Sequence, residues 1–443
     1  MSSEVAPDLH PQARLHLRRN FLLGVTNGVV FSFADALLDT NLVLSVLVSR
    51  LSGSSLLVGL LVPINLGGWY LPQLFFSGRI QAAPRKLPYY RTAMAFRLLA
   101  GYGMALAAFT LHDLRLLTAV IFIVITASSL AGGLTGLVFS HVVGQTIPSR
   151  QRGSFFAWRL LLGGIMALFA SFVVRHFVGS PGRLAFPANY AILFALSTTA
   201  LVISTTAFSL VKEPPDHSGS RRSVWQQLSR SWSLARTHAD FARFLAVRGC
   251  LMAAEVASPF YILYAKAALG LPESLAATYL MVSTIANIGS TYLWGRVSDH
   301  TGNRALLRLV SLAGCVPPLL ALAASPLAAV LSGPLEVAIF SLIFAVRGAV
   351  TTGAFIGGMN FMLDIAPANE RAIYIGLTNT VVGLASFAGA LGGPLIAVGG
   401  YGALFLLALA LYAAAAITIS RCAEPRHQAT VPAYGEEDVE IAG

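Results

Sequence analysis

The chain has 443 residues, of which 56% are hydrophobic and only 11% charged, and its mean hydropathy is +0.71. A soluble domain carries roughly 25% charged residues, so most of this surface must face an apolar solvent. The net charge of +11 would suit a nucleic-acid binder, but the basic residues are placed otherwise, as shown below. Cys250, Cys315 and Cys422 are scattered without paired spacing, which indicates neither a disulfide framework nor a metal site.

In chain order, residues 1–19 are polar and include Arg14, Arg18 and Arg19. The apolar stretch that follows is long enough to cross a bilayer, so it reads as a span and not as a cleaved leader. Apolar blocks predict twelve helices, at 20–48, 55–77, 89–110, 115–141, 153–177, 188–211, 242–266, 273–295, 304–327, 335–361, 372–397 and 401–420. Each crossing takes roughly 20 residues. Long apolar blocks such as 119–125 and 403–419 argue for helices over the short alternating strands of a barrel. The expected organisation is a tail (1–19), a six-helix bundle (20–211), a polar linker (212–241), a second bundle (242–420) and a tail (421–443). Within the linker, Trp225, Leu228 and Trp232 fall at helical spacing and predict an amphipathic surface helix. The acidic run 436–440 predicts a disordered end.

Of the 30 basic residues, 21 fall in one set of alternate loops and tails. Five lie in the opposite set (Arg50, Arg115, Arg175, Arg183, Lys266) and four within spans (Arg97, Arg159, Arg248, Arg347). That asymmetry places both termini in the cytoplasm. It also assigns most of the charge to lipid headgroups, with no nucleic-acid partner. The two halves repeat. Pro148–Arg152 and Pro367–Arg371 precede corresponding spans at an offset of 219 residues, and Gly78-Arg79 and Gly295-Arg296 are offset by 217. Six spans followed by six more in the same orientation are built around a central cavity.

The segment Gly295-Arg296-Val297-Ser298-Asp299-His300-Thr301-Gly302-Asn303-Arg304 resembles the signature loop of the major facilitator superfamily, and it lies where the second copy belongs. Gly295 is expected to admit a close helix neighbour, Asp299 to meet the positive end of an adjoining helix, and Gly302 to permit a tight turn. In the first copy Gly78, Arg79, Arg85 and Lys86 are present, but Ala82 replaces the usual Asp. Arg152 and Arg371 match the family's loops before spans 5 and 11. The resemblance runs from about residue 20 to 420. It implies an all-α membrane protein with twelve transmembrane helices in two six-helix pseudo-repeats. Span 5, read at 159–166, lacks the Gly-Pro motif of many drug/proton antiporters of that superfamily.

The resemblance implies that spans 1, 4, 7 and 10 line the cavity. Three of them carry a charge near mid-depth: Asp35, Glu255 and Arg347. An ionisable residue there costs roughly 2.5–3.5 kcal/mol on insertion scales, so it faces a cavity or a partner. Asp39 lies four residues after Asp35, one helical turn away, and two such carboxylates resist double ionisation. Asp35, Asp39 and Glu255 are therefore the expected proton-coupling residues. Asp35 could instead be a structural carboxylate, and Glu255 could pair with Arg248. Arg347 is expected to bind a substrate carboxylate or to act as counter-ion to Asp35 or Glu255. Asn27, Trp69, Tyr261 and Asn379 join it as candidate substrate contacts, with Asn65, Tyr70 and Gln73 nearby. Gly132, Gly133, Gly357 and Gly358 are expected to allow close packing.

These features predict a secondary transporter of a small organic solute, monomeric, proton-coupled, and placed in a bacterial inner membrane. The missing Asn-x-Ser/Thr sites of the outer loops favour bacteria. An uncoupled facilitator, an efflux pump of amphiphilic compounds and a non-transporting sensor of the same fold are the alternatives. The excess of cavity acids favours cationic, zwitterionic or neutral solutes over phosphate esters. No cofactor and no enzymatic role are expected: both aspartates share one helix, unlike intramembrane aspartyl proteases, and no phosphate-cradling loop is visible.

Overall fold

The computed structural model describes residues 14–81, 83–178, 185–215, 233, 236–272, 275–327, 333–366 and 371–424. Among these there is no strand. The helices are α1 (Leu17–Ser52), α2 (55–81), α3 (Leu87–Thr110), α4 (Leu114–Thr146), α5 (Ser149–Val178) and α6 (Ala188–Ser209). Then come α7 (239–269), α8 (Leu275–Thr301), α9 (303–327), α10 (Gly333–Ile365), α11 (371–399) and α12 (401–420). The last two run on as one apolar stretch in which only Gly400 leaves helical geometry, at φ 67° and ψ −174°. A side chain is strained at such a φ, so glycine is where this chain turns back. The predicted Trp225–Trp232 helix, Ala82 and the acidic tail lie outside the described residues.

Several helices extend a few residues beyond the predicted apolar blocks, because polar terminal turns carry no hydropathy signal. The signature segment shows this most clearly. It is not a loop up to Arg304: α8 stays helical to Thr301, and only Gly302, at φ 86°, turns the chain into α9. Further breaks fall at mid-depth. α1 stops at Leu37 and restarts as a π-turn at Thr40–Leu44. In α2 a π-turn occupies Pro63–Gly67, and Pro63 has no N–H to give the preceding turn. In α7 a 3₁₀ turn at Glu255–Ala257 is followed by Pro259, which leaves the Glu255 carbonyl without its helical donor; the Ser258 N–H takes it at 3.0 Å.

Packing repeats between the halves. In the first, α1 packs on α5 and α6, α3 on α4 and α6, and α2 on α4. In the second, α7 packs on α11 and α12, α9 on α10 and α12, and α8 on α10. Across the interface α5 meets α8 and α2 meets α11, again related by the repeat. At the end of the bundle away from the termini, α2 and α11 touch backbone to backbone. A Cβ on Gly59 would lie 2.7 Å from the Gly389 oxygen, and one on Gly393 would lie 2.4 Å from the Leu56 Cα. The buried Phe260 of α7 fills the seam beside Gly392. At the end bearing the termini, two arginines bind backbone carbonyls of their own half. Arg152 caps the end of α4 on the Ile147 and Gly144 carbonyls (3.0 and 2.6 Å), and Arg304 donates to the Ser420 carbonyl (2.6 Å).

Candidate solute cavity

A cavity of about 420 Å³ lies at mid-depth between the halves. Its wall comes from α1 (Asp35–Asn41), α2 (Asn65, Tyr70), α7 (Arg248, Glu255), α10 (Arg347, Thr351) and α12 (Tyr412). The breaks in α1, α2 and α7 all fall on this wall, so interrupted helices present their polar groups to one space. α4 contributes nothing to it, contrary to the expectation for spans 1, 4, 7 and 10. α2 stands in its way: the Trp69 ring packs onto Gly132 and Gly136, and a Cβ on Gly133 would meet the Trp69 carbonyl at 2.2 Å.

The second half holds a closed charge cluster. Arg347, 8% exposed, donates to Glu255 Oε2 at 2.9 Å, and the Tyr412 hydroxyl donates to Oε1 at 3.1 Å. Ser258 donates to Glu255 from the next turn. The Arg347 guanidinium also stands 5.8 Å from the Tyr261 ring centroid and 6.0 Å from that of Phe344. Arg248 is not the partner of Glu255. Its side chain lies against Gly358 and donates to the Ala354 carbonyl at 2.7 Å.

The first half is arranged differently. Asp35 and Asp39 both reach the cavity, but they do not share a regular helical turn, because α1 is interrupted between them. Asp39 caps the restarted helix and accepts the backbone N–H groups of Asn41 (3.0 Å) and Leu42 (2.8 Å). Asp35 is exposed to the cavity and accepts no hydrogen bond from a described residue, with Arg97 close enough to act on it electrostatically. Thr40 accepts from the Asn65 amide at 2.8 Å and ties α1 to α2. The Asn41 side-chain oxygen is buried without a partner among the described residues.

Residues 21–390 match the family model of the Major Facilitator Superfamily. The chain belongs to that superfamily. Its members are transporters and not enzymes, and the protein is integral to the membrane. No curated protein is significantly similar. Among solved structures, a D-xylose–proton symporter superposes with a TM-score of 0.72 at 15% identity, covering 93% of this chain and 99% of that one. The nucleoside transporter NupG, as its D323A mutant, gives 0.66 at 15% identity over 91% and 98%. A bacterial homologue of the iron transporter ferroportin, in its inward-facing state, gives 0.65 at 13% identity over 91% and 98%. At these identities the likeness is one of fold.

Within this superfamily member, Asp35, Asp39, Glu255 and Arg347 come together on one cavity. Of the other substrate candidates, Asn65 and Tyr70 also line it, whereas Asn27, Trp69, Tyr261 and Asn379 do not. Asn27 is buried in α1, where its amide donates to Ser204 and Tyr90 and its oxygen accepts from Arg159 at 2.8 Å. Trp69 faces α4, Tyr261 is 2% exposed and stacked on Phe405, and Asn379 lies off the cavity wall. The signature segment also departs from expectation. A Cβ on Gly295 would meet no atom of a described residue within 4 Å. Asp299 is exposed on the last turn of α8. Glu424 instead accepts the Arg304 N–H at the start of α9 (3.0 Å), in space that a Cβ on Gly302 would fill. Arg296 lies over Tyr292 of its own helix, Arg79 is exposed, Gly78 lies within α2 and Arg371 begins α11. Ser298, Asn303, Asn360 and Asp364 form the polar network of this corner, which the motif alone did not indicate. Tyr412 joins the wall from α12. Its only trace in the sequence is a hydroxyl in the middle of an alanine- and leucine-rich span.

Proposed function

We propose that this protein carries a small organic solute across a bacterial inner membrane by alternating access, coupled to protons through Asp35, Asp39 and Glu255. The observation that carries the reading is the mid-depth cavity between the halves, with a hydrogen-bond-free carboxylate on α1 and a paired one on α7. The backbone seam between α2 and α11 supports a state shut at the end away from the termini. The distribution of basic residues supports cytoplasmic termini, and with that orientation the state is inward-facing. Movement of Asp35 between protonated and ionised forms would bias the two states differently, as coupling requires.

The cavity size falls within the roughly 300–1,000 Å³ typical of small-molecule sites. Three carboxylates face two guanidiniums on its wall, and one guanidinium is already paired. That balance favours cationic, zwitterionic or neutral solutes. Xylose and nucleosides, carried by two structural neighbours, are neutral and polar. The facilitator reading has one observation in its favour: Asp39 and Glu255 are both engaged, leaving Asp35 as the single carboxylate on the wall without a hydrogen bond.

The test is a thermal-shift screen of purified protein against metabolites at acidic and alkaline pH, with Asp35→Asn beside wild type, followed by flux of each hit in proteoliposomes. A hit transported with a pH dependence that Asp35→Asn abolishes supports coupling at Asp35. Flux with the same pH dependence in both proteins moves coupling elsewhere, flux without pH dependence makes the protein a facilitator, and binding without flux makes it a sensor.

A further inference from the structure

A second cavity, of about 610 Å³, opens where the chain enters α1, enters α3 and leaves α6. It lies at the level where the helices end, on the side that bears the termini. Arg19, Arg85, Arg91 and Lys212 line it, with His16 beside them. Against these four cations stands one acid, Glu213, and its carboxylate is already committed. One oxygen accepts the Lys86 N–H at 2.7 Å and the other the Leu87 N–H at 2.9 Å, capping α3.

The arginines are held in place without being used up. Arg19 donates to the Leu210 carbonyl at 3.1 Å and Arg91 to the Ser209 carbonyl at 2.6 Å, so both guanidiniums are fixed by the end of α6. A guanidinium has five N–H donors, and each of these spends few of them on the protein. Arg85 is exposed and makes no hydrogen bond with a described residue. Two held guanidiniums and a third beside them around one space match the tetrahedral oxygens of a phosphate group. Two large leucines complete the wall towards the lipid, Leu15 at 82% and Leu210 at 50% exposure. Below them α3 and α6 present Phe96, Leu99 and Ile203 outwards.

The second half supplies an internal contrast. Its cavity at the same level, about 390 Å³, is lined by Asp240, Asp364 and Arg243, and Arg243 is paired with Asp240 at 2.8 Å. Positive charge at the membrane edge is expected throughout, but here it is gathered unpaired in the first-half cavity and neutralised in the second.

We propose that the cavity between the starts of α1 and α3 and the end of α6 binds the phosphate headgroup of an anionic phospholipid. The guanidiniums hold the phosphate, and the acyl chains descend along the apolar faces of α3 and α6. This site is separate from the solute cavity and stands whether or not transport is proton-coupled.

The experiment uses the full-length protein in nanodiscs of phosphatidylcholine with increasing phosphatidylglycerol, read by thermal unfolding, with inorganic phosphate and soluble glycerophosphoglycerol in parallel. Wild type should be stabilised saturably by phosphatidylglycerol. Arg85→Gln removes no hydrogen bond to a described residue and should fold normally. It should raise the phosphatidylglycerol fraction needed for half the effect about fivefold, the weight of one cation at an anionic surface. Arg19→Gln with Arg91→Gln should lose the saturable effect, while Arg115→Gln, at the opposite end, should keep it. Equal response of Arg85→Gln and wild type would overturn the proposal. So would full stabilisation by inorganic phosphate or the soluble headgroup without lipid.

Discussion

The Arg347–Glu255 pair can be taken apart in a double-mutant cycle. At 2.9 Å and an effective dielectric of about 20, the gross attraction is about 6 kcal/mol. Much of this is offset by desolvation, but removing one partner alone leaves the other charge buried and costs about 3–5 kcal/mol. Arg347→Gln strands Glu255 with only the Tyr412 and Ser258 hydroxyls as donors. Glu255→Gln strands Arg347 between the Tyr261 and Phe344 rings. The double variant loses the pair without stranding either charge, so its cost should be about 1–2 kcal/mol, that of the lost hydrogen bonds. The two single changes should therefore be far from additive, with a coupling energy of at least about 4 kcal/mol. Unfolding free energies in mixed detergent micelles, followed by circular dichroism at pH 7, give all four corners. Additive costs, or a silent Glu255→Gln beside a costly Arg347→Gln, would refute an ionised pair and mean that Glu255 carries a proton.

Four further outcomes are expected. Gly393→Ala drives a Cβ into the Leu56 backbone, so it should open the end away from the termini; thiol labelling of a cysteine placed at Ser54 should speed up, and unchanged labelling would contradict a tight seam. Asn27→Ala should lower stability by about 1–3 kcal/mol by taking the acceptor from Arg159 and the amide donor from the Ser204 carbonyl and hydroxyl oxygens, with the KM of any transported solute unchanged. Tyr412→Phe should cost about 1 kcal/mol and lower the temperature of unfolding without altering the fold. Beyond the end of α12, burial and Asp240 push the Cys422 thiol up to about 11 from 9.0. Its thiolate should be about 100-fold scarcer at pH 8, so maleimide should label it correspondingly slowly in a Cys250→Ser, Cys315→Ser background. The neutral thiol is the form the fold favours. Its stabilisation is complete below pH 9 and is lost as pH rises towards 11, which a pH series of unfolding midpoints would show.

Hydropathy and charge placement made the helices and their repeat legible, because membrane spans must be long and apolar and their ends are marked by arginine. The internal charges were legible for the same reason: Asp35, Glu255 and Arg347 are too costly at mid-depth to be incidental. Partners were harder to see. Arg248 lies seven residues from Glu255 and both meet α10, but they are two turns apart, so Glu255 takes Arg347 while Arg248 lies against Gly358 and the Ala354 carbonyl. The spacing of Asp35 and Asp39 misled similarly, since the break at Leu38 turns the second aspartate into a cap. Amides such as Asn27 look alike in sequence whether they meet a solute or another helix, and only packing decides.

Glu213 and Glu424 have a mechanical consequence. Each lies just past the last helix of its half and reaches back to cap an earlier one, α3 in the first case and α9 in the second. Each glutamate stands four residues after its helix has ended, at Ser209 and Ser420. Each half is thus buckled shut by its own final residues. Each carboxylate ties the segment after the last helix of its half to the start of an earlier helix, so neither can shift along the other without giving up a backbone cap.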